Sequence, residues 1–194
     1  MIAWWVMPAL SLNSQEELMR ISRETLESFV RQGEMPSFKP EDTALSEPVA
    51  CFVTLKKRRE GDNFPDLRGC VGVLKAQRPL FEEVMRMTQA AASQDFRFEQ
   101  VRPQELQEIR IEISVLSPLE RIHSQSEIEV GRHGVFLKWK DRSGAFLPEV
   151  APQAGWTAEE LVRACAQEKA FLPEEAWREA EIYRFTTQKI KEGA

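Results

Sequence analysis

Two short units bounded by glycines each enclose a side chain that can do chemistry. Gly69-Cys70-Val71-Gly72 encloses a thiol, and Gly131-Arg132-His133-Gly134 encloses an imidazole. Arg68 precedes the first unit, and an arginine also lies inside the second. Positive charge near a thiol favours the thiolate, which is its nucleophilic form. The pattern therefore predicts that the thiol is a candidate nucleophile and the imidazole a candidate acid or base.

The glycines of both units are candidates for ligand binding. Glycine inside strand-like sequence indicates a bulge, a positive φ, or close approach of another group to the backbone. Backbone N–H groups at such positions, with a neighbouring arginine, could hold an anionic group of a substrate. The candidate ligand-binding residues are Arg68, Gly69, Gly72, Gly131 and Gly134.

Structural roles are the alternative for the same residues. Cysteine is among the most buried residue types, and Cys51 and Cys165 lie in apolar patterns typical of core positions. Cys70 differs from them because glycines and an arginine flank it. The second histidine of the chain, His123, lies in an unpatterned polar stretch, so a multi-histidine metal site cannot be built. Nucleotide-binding and zinc-protease motifs are absent, and the sequence predicts no metal and no cofactor.

Charge and composition restrict the partners. The net charge of −5 argues against broad binding to nucleic acid or to an anionic membrane. The basic run 56–59 is predicted to be a solvated hairpin loop. A G-x-x-G loop that clamps nucleic acid joins two helices, whereas the sequence around Cys70 is strand-like. Three separated cysteines, and an apolar start too short to span a bilayer, predict a cytoplasmic protein.

Hydrophobic periodicity predicts the elements that position these residues. A capping box at Ser14 and Glu17 predicts a helix from about Gln15 to Gln32. Residues 49–55 and 67–74 are rich in strand formers and predict a hairpin. Pro79 is suited to open a helix, and alternating residues 109–115 predict a strand with one buried face.

The second half of the sequence mixes strands and helices again. Residues 135–139 and 145–147 predict strands joined by a turn at 141–144. A capping box at Thr157 and Glu160 predicts a helix, and residues 182–186 predict the last strand. This order favours an α+β fold with a mainly antiparallel sheet and packed helices.

The sequence resembles the AMMECR domain family in several ordered blocks. The hexapeptide Leu67-Arg68-Gly69-Cys70-Val71-Gly72 is similar to the signature of that family. Further blocks follow in family order over nearly the whole chain. They are Phe52-Val53-Thr54-Leu55, Asp95-Phe96-Arg97-Phe98, Ile111-Glu112-Ile113-Ser114-Val115-Leu116, Val130-Gly131-Arg132-His133-Gly134, Leu147-Pro148-Glu149-Val150-Ala151 and Gly155-Trp156.

The resemblance implies an α+β fold with a larger and a smaller lobe around a cleft that contains the signature. It implies an AMMECR domain at residues 14–194, preceded by an apolar N-terminal extension at residues 1–13, in which the segment 1–10 has no counterpart in the family pattern. It also implies action with Memo-like and radical-SAM proteins, the AmmeMemoRadiSam grouping, but it implies no reaction.

Three functions remain open from the sequence. The chain could be a module that binds a small molecule or a partner protein. It could instead be a thiol-dependent enzyme with Cys70 as nucleophile, His133 as acid or base and Glu149 orienting the imidazole. Many relatives have glutamine at the position of Glu149, so a role that needs a carboxylate there would not be shared by the family. In the third possibility the signature builds a tight crossing of strands.

Overall fold

The computed structural model describes residues 9–57 and 65–193. These residues form four α-helices and two four-stranded antiparallel sheets, which confirms the predicted α+β class. The chain divides into two compact units, each with its own sheet. The larger unit comprises residues 9–116 and 188–193, and the smaller unit comprises residues 117–187. Within the described residues, no helix is both long and apolar enough to cross a membrane.

The sheet of the larger unit has the strand order β2-β1-β3-β8. Its helices, α1 and α2, contact each other, and both contact the sheet. The predicted hairpin is confirmed as the antiparallel pair β1 and β2. The elements are α1 (Leu12–Gln32), β1 (Cys51–Lys57), β2 (Asp66–Gly72), α2 (Leu80–Ser93), β3 (Ile109–Leu116) and β8 (Thr187–Lys191).

The two faces of this sheet differ in chemistry. Along β1, Cys51, Val53 and Leu55 are fully buried, whereas the alternate residues are half-buried. We call the face that carries Phe52, Thr54 and Lys56 the polar face. Because successive strand residues point to opposite faces, the buried residues supply the core and the alternate ones meet side chains of β2 and β3.

Helix α1 begins earlier than its capping box predicted. Ser11 is the N-cap, and its side chain accepts a hydrogen bond from the backbone N–H of Ser14. The Ser14 hydroxyl instead donates to Asp42 and is buried. A serine with extended backbone three residues upstream therefore outcompetes the predicted cap. The predicted end is confirmed, since Gly33 follows the helix with a φ of 76°.

The smaller unit has the strand order β4-β7-β5-β6, with antiparallel pairing throughout. Its core contains Val135, Leu137, Leu161 and Val162. The predicted capping box at Thr157 and Glu160 is confirmed at the start of α4. The elements are β4 (Glu120–Ile122), β5 (Gly134–Trp139), β6 (Arg142–Phe146), α3 (Val150–Ala154), α4 (Ala158–Ala164) and β7 (Glu181–Phe185).

Two sequence-based expectations about strands are wrong. The turn between β5 and β6 lies at Lys140–Asp141, where Lys140 has a φ of 57°. Gly144 belongs to β6, and a Cβ there would lie 2.6 Å from the backbone nitrogen of Ala170, so its glycine serves packing. Residues 182–186 are also not the last strand, because β8 follows and completes the sheet of the larger unit.

The predicted basic hairpin loop is partly wrong. Lys56 and Lys57 belong to β1 and are half-buried, since pairing with β2 and β3 extends the strand to Lys57. Lys56 forms an ion pair with a glutamate, and Lys57 forms two. Residues 58–64 lie outside the described residues. The same is true of most of the predicted apolar extension at residues 1–13, including Trp4 and Trp5.

Candidate functional site

Cys70 lies in the edge strand β2 and is half-buried. It pairs directly with Thr54 of β1, so both side chains lie on the polar face. The Thr54 hydroxyl donates a hydrogen bond to Cys70 Sγ at 3.2 Å. A hydroxyl donor stabilises the charged form of its acceptor, and this contact therefore favours the thiolate.

Asp95 and Arg97 hold the backbone of Cys70. The Cys70 N–H donates to Asp95 Oδ2 at 2.8 Å, and Arg97 Nη2 lies 3.5 Å from the Cys70 carbonyl oxygen. Arg97 also forms a forked ion pair with Asp95, with Nε···Oδ1 at 2.8 Å and Nη2···Oδ2 at 2.7 Å. We call this arrangement the Asp95–Arg97 bracket. It occupies the outer edge of β2 at Cys70, where another strand would otherwise pair.

The bracket is charged at neutral pH. Hydrogen bonding to the Arg97 guanidinium, aided by the N–H groups of Cys70 and Arg97, lowers the pKa of Asp95 to about 2 against the opposing effect of burial. The pKa of Arg97 is raised, chiefly by its hydrogen bonds to Asp95 and also by the charge of Cys70. Electrostatic interactions are reciprocal, so the guanidinium in turn favours the thiolate of Cys70.

The bracket also lies in a turn that carries an exposed aromatic side chain. The backbone N–H of Phe98 donates to the Asp95 carbonyl at 3.0 Å, which closes a turn over residues 95–98. Phe96 at the tip of this turn is 95% exposed. The Arg97 guanidinium lies 5.4 Å from the centre of the Phe98 ring. The turn therefore presents Phe96 from a base that is tied to β2.

Arg68 makes contacts that differ from those expected. Its Nε and Nη2 each donate to the Glu105 carboxylate at 3.0 Å, and its Nη1 donates to the Glu99 carbonyl. Hydrogen bonds from Arg68, with further help from Arg102 and Lys57, lower the pKa of Glu105 to about 2. The role of Arg68 in holding a substrate stays a prediction, and the guanidinium that contacts Cys70 belongs to Arg97.

The glycines of the signature are required by packing. A Cβ at Gly69 would lie 2.2 Å from the carbonyl oxygen of Ala91 in α2. A Cβ at Gly72 would lie 2.2 Å from the ring of Phe52. These glycines allow α2 and the Phe52 ring to approach the strand, so their absent side chains do not by themselves indicate a ligand.

Charged side chains continue across the polar face beyond Thr54. Glu112 of β3 lies directly opposite Thr54. Its carboxylate accepts a hydrogen bond from Lys56 Nζ at 2.8 Å, and Lys189 Nζ of β8 lies 3.8 Å from its other oxygen. A thiol, a hydroxyl, a carboxylate and two ammonium groups thus lie along one face of four adjacent strands.

His133 lies in the smaller unit, in a pocket of about 540 Å³ that it shares with Ser126, Arg132 and Arg184. Its Nδ1 accepts a hydrogen bond from the backbone N–H of Glu129 at 3.0 Å, so the neutral imidazole carries its proton on Nε2. Partial burial, and then the charges of Arg184 and Arg132, lower the pKa of His133. Each of these effects favours the neutral imidazole over the charged one.

The two glycines around His133 have different roles. Gly131 has a φ of 89°, which is a conformation that favours glycine, and only Pro152 Cγ lies near a Cβ built there, at 3.4 Å. Gly134 begins β5, and a Cβ there would lie 2.6 Å from the Phe185 ring. Gly131 thus permits a turn, and Gly134 permits close packing.

Glu149 is half-buried and is the residue before α3. Its backbone carbonyl accepts a hydrogen bond from Gln153 at 3.3 Å. That Glu149 orients the imidazole of His133 stays a prediction. The contact that holds Nδ1 of this histidine is the backbone N–H of Glu129. His133 and Glu149 belong to the smaller unit, whereas Cys70 belongs to the larger one.

The other two cysteines are core residues, as predicted. Cys51 and Cys165 are fully buried. Burial raises the pKa of the Cys51 thiol far above its usual range, and it raises that of Cys165 to about 12. Neither side chain carries a thiolate at neutral pH. Among the described residues, no group of three or more histidine, cysteine or acidic side chains is placed to hold a metal ion.

Sequence reasoning missed the residues that contact Cys70. Thr54 stood out only as part of a predicted strand and of a family block, and residues 95–98 only as a family block. The sequence nevertheless contained a signal. Asp95 and Arg97 are two residues apart just after a helix, and an acid and an arginine at that spacing can form a forked ion pair. Their contact with Cys70 is 25 residues away in sequence and cannot be derived from local patterns.

The fold and the site define a class of α+β protein in which a glycine-bounded cysteine lies on an edge strand and is held by a remote Asp-Arg pair. A family model described as AMMECR1 matches residues 19–190. The chain belongs to the AMMECR1 family, as the resemblance of its signature predicts.

Known relatives agree with this assignment. A protein of Methanopyrus kandleri is 37% identical over 94% of this chain and 90% of its own length. A protein of Thermococcus gammatolerans is 38% identical over 91% of this chain and 89% of its own length. The crystal structure of an uncharacterized protein from Pyrococcus horikoshii matches with a TM-score of 0.83 and 32% identity, over 92% of this chain and 91% of that one.

Proposed function

We propose that this chain is a binding module that acts with Memo-like and radical-SAM proteins, and that the turn at residues 95–98 contacts the partner. The observation that carries the proposal is Phe96, which is 95% exposed on a turn fixed by an internal ion pair. Aromatic side chains with adjacent arginines are enriched at the centres of protein interfaces. Because the backbone of the turn is already held, binding would have to order little more than the Phe96 side chain itself.

Co-purification tests the partner contact. We expect a tagged chain to retain the Memo-like or the radical-SAM protein. Phe96→Ala should reduce retention at least tenfold, because truncating an interface anchor costs about 1.4 kcal/mol or more of binding free energy. Cys70→Ser should bind as the native chain does. Phe171→Ala is the matched control, since Phe171 is also exposed but belongs to the smaller unit. Retention of neither protein by the native chain would refute the proposal.

A second candidate is a thiol-dependent enzyme, which the environment of Cys70 favours. A hydroxyl donor and a guanidinium both favour the thiolate. In such a reaction the proton of the thiol has already passed to a base, the thiolate sulfur forms a bond to an electrophilic carbon of the substrate, and a leaving group departs from that carbon with the bonding electron pair. The assignment of His133 as that base, with Glu149 orienting the imidazole, stays a prediction, because the neutral ring accepts at Nδ1 from Glu129 and carries its proton on Nε2.

The pH dependence of alkylation, with mass-spectrometric assignment to each cysteine, tests this candidate. We expect Cys70 to react at neutral pH in the folded chain, whereas Cys51 and Cys165 react only on unfolding. Thr54→Val and Arg97→Gln should slow the reaction of Cys70, and Arg68→Gln should not. If Cys70 is also inert until the chain unfolds, the enzyme reading fails and the binding module remains.

A further inference from the structure

A pocket in the smaller unit brings together one imidazole and two guanidinium groups. His133, Arg132 and Arg184 line it together with Ser126, and its volume of about 540 Å³ lies in the range of small-molecule sites. Arg184 belongs to β7, whereas the other two belong to the turn before β5. All of these residues belong to the smaller unit, so the pocket lies within one compact body. We call it the His133 pocket.

The imidazole of His133 is held so that one ring nitrogen remains a donor. The backbone of Glu129 contacts this residue twice: its N–H donates to Nδ1 at 3.0 Å, and its carbonyl accepts from the His133 N–H at 2.9 Å. The neutral ring therefore carries its proton on Nε2. Among the described residues, Nδ1 makes the hydrogen bond of this ring, and no acceptor contacts Nε2. A ligand oxygen at Nε2 would thus complete the hydrogen bonds of the ring.

The two arginines also keep donors for a ligand. Arg184 gives Nε to the Glu120 carboxylate at 2.9 Å and Nη1 to the carbonyl of Glu127. Arg132 gives Nη1 to the Glu129 carboxylate at 3.0 Å, in an exposed ion pair. Within the part of the chain that the structure describes, the Nη2 groups of both arginines make no hydrogen bond. Because a guanidinium has five N–H donors in a planar fork, each can bind an oxyanion and keep its present partner.

Two neighbouring acids do not cancel the positive potential at the imidazole. After partial burial, the largest effects on the pKa of His133 are the charges of Arg184 and Arg132, which lower it. The opposing charges of Glu129 and Glu120 raise this pKa by smaller amounts. Charges that together lower the pKa of a cationic group produce a positive potential at that group. The ring therefore lies where a negative charge is favoured.

A third acid, Glu127, also lines the pocket, but its carboxylate serves as a cap. It accepts from the backbone N–H groups of His123 and Ser124 at 2.9 and 3.0 Å. These hydrogen bonds, chiefly that from His123, lower the pKa of Glu127. Its charge is not among those that act on the His133 imidazole, so it leaves the potential at the ring unchanged.

We propose that the His133 pocket binds a small molecule that carries an oxyanion, either a phosphate or a carboxylate. The Nε2–H of His133 and the remaining donors of the two arginines would contact the oxyanion. In this role the imidazole donates a hydrogen bond to the ligand and takes no proton from Cys70. The site therefore requires neither thiol chemistry nor the Phe96 contact proposed for partners.

The titration of His133 in the native full chain provides the test, because binding and protonation are linked. An anion beside the ring stabilises the imidazolium, so binding should raise the pKa of His133, and affinity should increase as the pH falls. The probe is sodium sulfate, whose charge is constant between about pH 5 and 8, where histidine titrates. Sodium chloride at matched ionic strength is the control for screening.

NMR can follow both histidines of the chain, so His123 is an internal control. We expect the His133 midpoint to rise by about half to one pH unit more in saturating sulfate than in chloride. The His123 midpoint should change by clearly less, since its side chain does not line the pocket.

Amide chemical shifts of the nitrogen-15-labelled chain distinguish the two sources of the oxyanion. Sodium phosphate and sodium succinate are each added up to about 10 mM, a range that includes millimolar affinities. We expect saturable changes at Glu129, Arg132, His133 and Arg184. A response to phosphate alone would identify a phosphate ligand, and a response to succinate alone a carboxylate ligand. A response to both would support a general oxyanion site.

Variants of opposite sign separate binding from folding. Arg132→Gln should weaken sulfate binding by about three- to tenfold, because it removes one charge close to the anion. Arg178→Gln is the matched control, since its side chain is 65% exposed in the same unit, against 66% for Arg132, and lies outside the pocket. Glu129→Gln should strengthen binding by about twofold or more, because it removes an opposing charge and keeps the backbone contacts to His133.

The donor role of the imidazole has a variant of its own. In His133→Asn the amide oxygen can replace Nδ1 as the acceptor for the Glu129 N–H, but the Nε2 donor is lost. Binding should weaken by about three- to tenfold, the effect of losing one hydrogen bond to a charged group.

Three results would overturn the inference. These are a His133 midpoint that rises no further in sulfate than in chloride, an equal rise at His123, and a folded Glu129→Gln variant that binds sulfate no more tightly than the native chain. Partner retention through Phe96 and alkylation of Cys70 are measured separately. Failure of anion binding therefore leaves both of those proposals intact, and the reverse also holds.

Discussion

The two glycine-bounded units look alike in sequence but differ in how they hold their reactive side chain. Cys70 is held by residues far away in sequence, namely Thr54 through its hydroxyl and Asp95 through its carboxylate. His133 is held by Glu129, four residues earlier, whose N–H donates to its ring nitrogen. The same spacing of glycines thus serves a tertiary arrangement in one unit and a local turn in the other.

Glycine is required for a different physical reason in each of the two segments. Gly69 is glycine because another element occupies the space where a side chain would lie. Gly131 is glycine because of its backbone conformation, with little nearby to clash. Substitutions at the two positions should therefore fail for different reasons and to different extents.

The largest effect is expected for Gly69→Ala. Its Cβ would lie 2.2 Å from the Ala91 carbonyl oxygen, and neither a strand nor a helix backbone can move away cheaply. We expect a loss of about 3 kcal/mol in the free energy of unfolding, measured in urea. Gly193→Ala, with no atom within 4 Å of its Cβ, is the control. A similar small effect in both variants would contradict the packing account.

The next effect is expected for Asp95→Asn. The folded pKa of Asp95 is about 2, below the usual aspartate value of 3.8, so its contribution to stability is complete above pH 4 and is lost as the pH falls through about 2. The variant should lose about 2 kcal/mol at pH 7, and the difference from the native chain should shrink in unfolding curves at low pH. The exposed Glu99→Gln should change stability by less than about 0.5 kcal/mol.

Gly131→Ala should have a smaller effect. The cost is that of a positive φ, about 1 kcal/mol, because Pro152 Cγ at 3.4 Å makes only ordinary contact. Gly131→Asn should cost less than the alanine variant, since asparagine adopts positive φ more readily. Thermal unfolding of the three chains measures both differences. If alanine at positions 69 and 131 caused equal losses of stability, the distinction between the two glycine-bounded segments would be lost.

The smallest effect concerns the titration of His133. Partial burial and two arginines lower its pKa, so NMR should show a midpoint below the usual value of about 6.5. Because the folded pKa is depressed, its contribution to stability is present above pH 6.5 and falls as the pH drops through the folded value. Arg132→Gln should raise the midpoint. A midpoint at or above 6.5 in the native chain would contradict this account.

Local patterns predicted most elements of the fold. The hairpin of β1 and β2, the strand β3 and the cap at Thr157 follow from alternation and capping, which depend on neighbours in sequence. The failures have nonlocal causes. Ser14 is removed from its capping role by Asp42, and β8 is a strand because β3 offers it an edge.

The candidate site was less predictable than the fold. Motif reasoning identified Cys70, because glycines and an arginine marked it. It assigned the neighbouring cation to Arg68, which is adjacent in sequence but forms its ion pair with Glu105. The cation that contacts Cys70 is Arg97, 27 residues away. Strand register and the path of the chain after α2 decide that contact, and neither is encoded in a short motif.

The position of β8 has a consequence for biosynthesis. The strand that completes the sheet of the larger unit is made only after residues 117–187. On the ribosome, β1, β2 and β3 must therefore wait with one edge unpaired while the whole smaller unit is translated. Unpaired edges invite aggregation during synthesis, so a folding chain of this topology gains from a smaller unit that folds quickly.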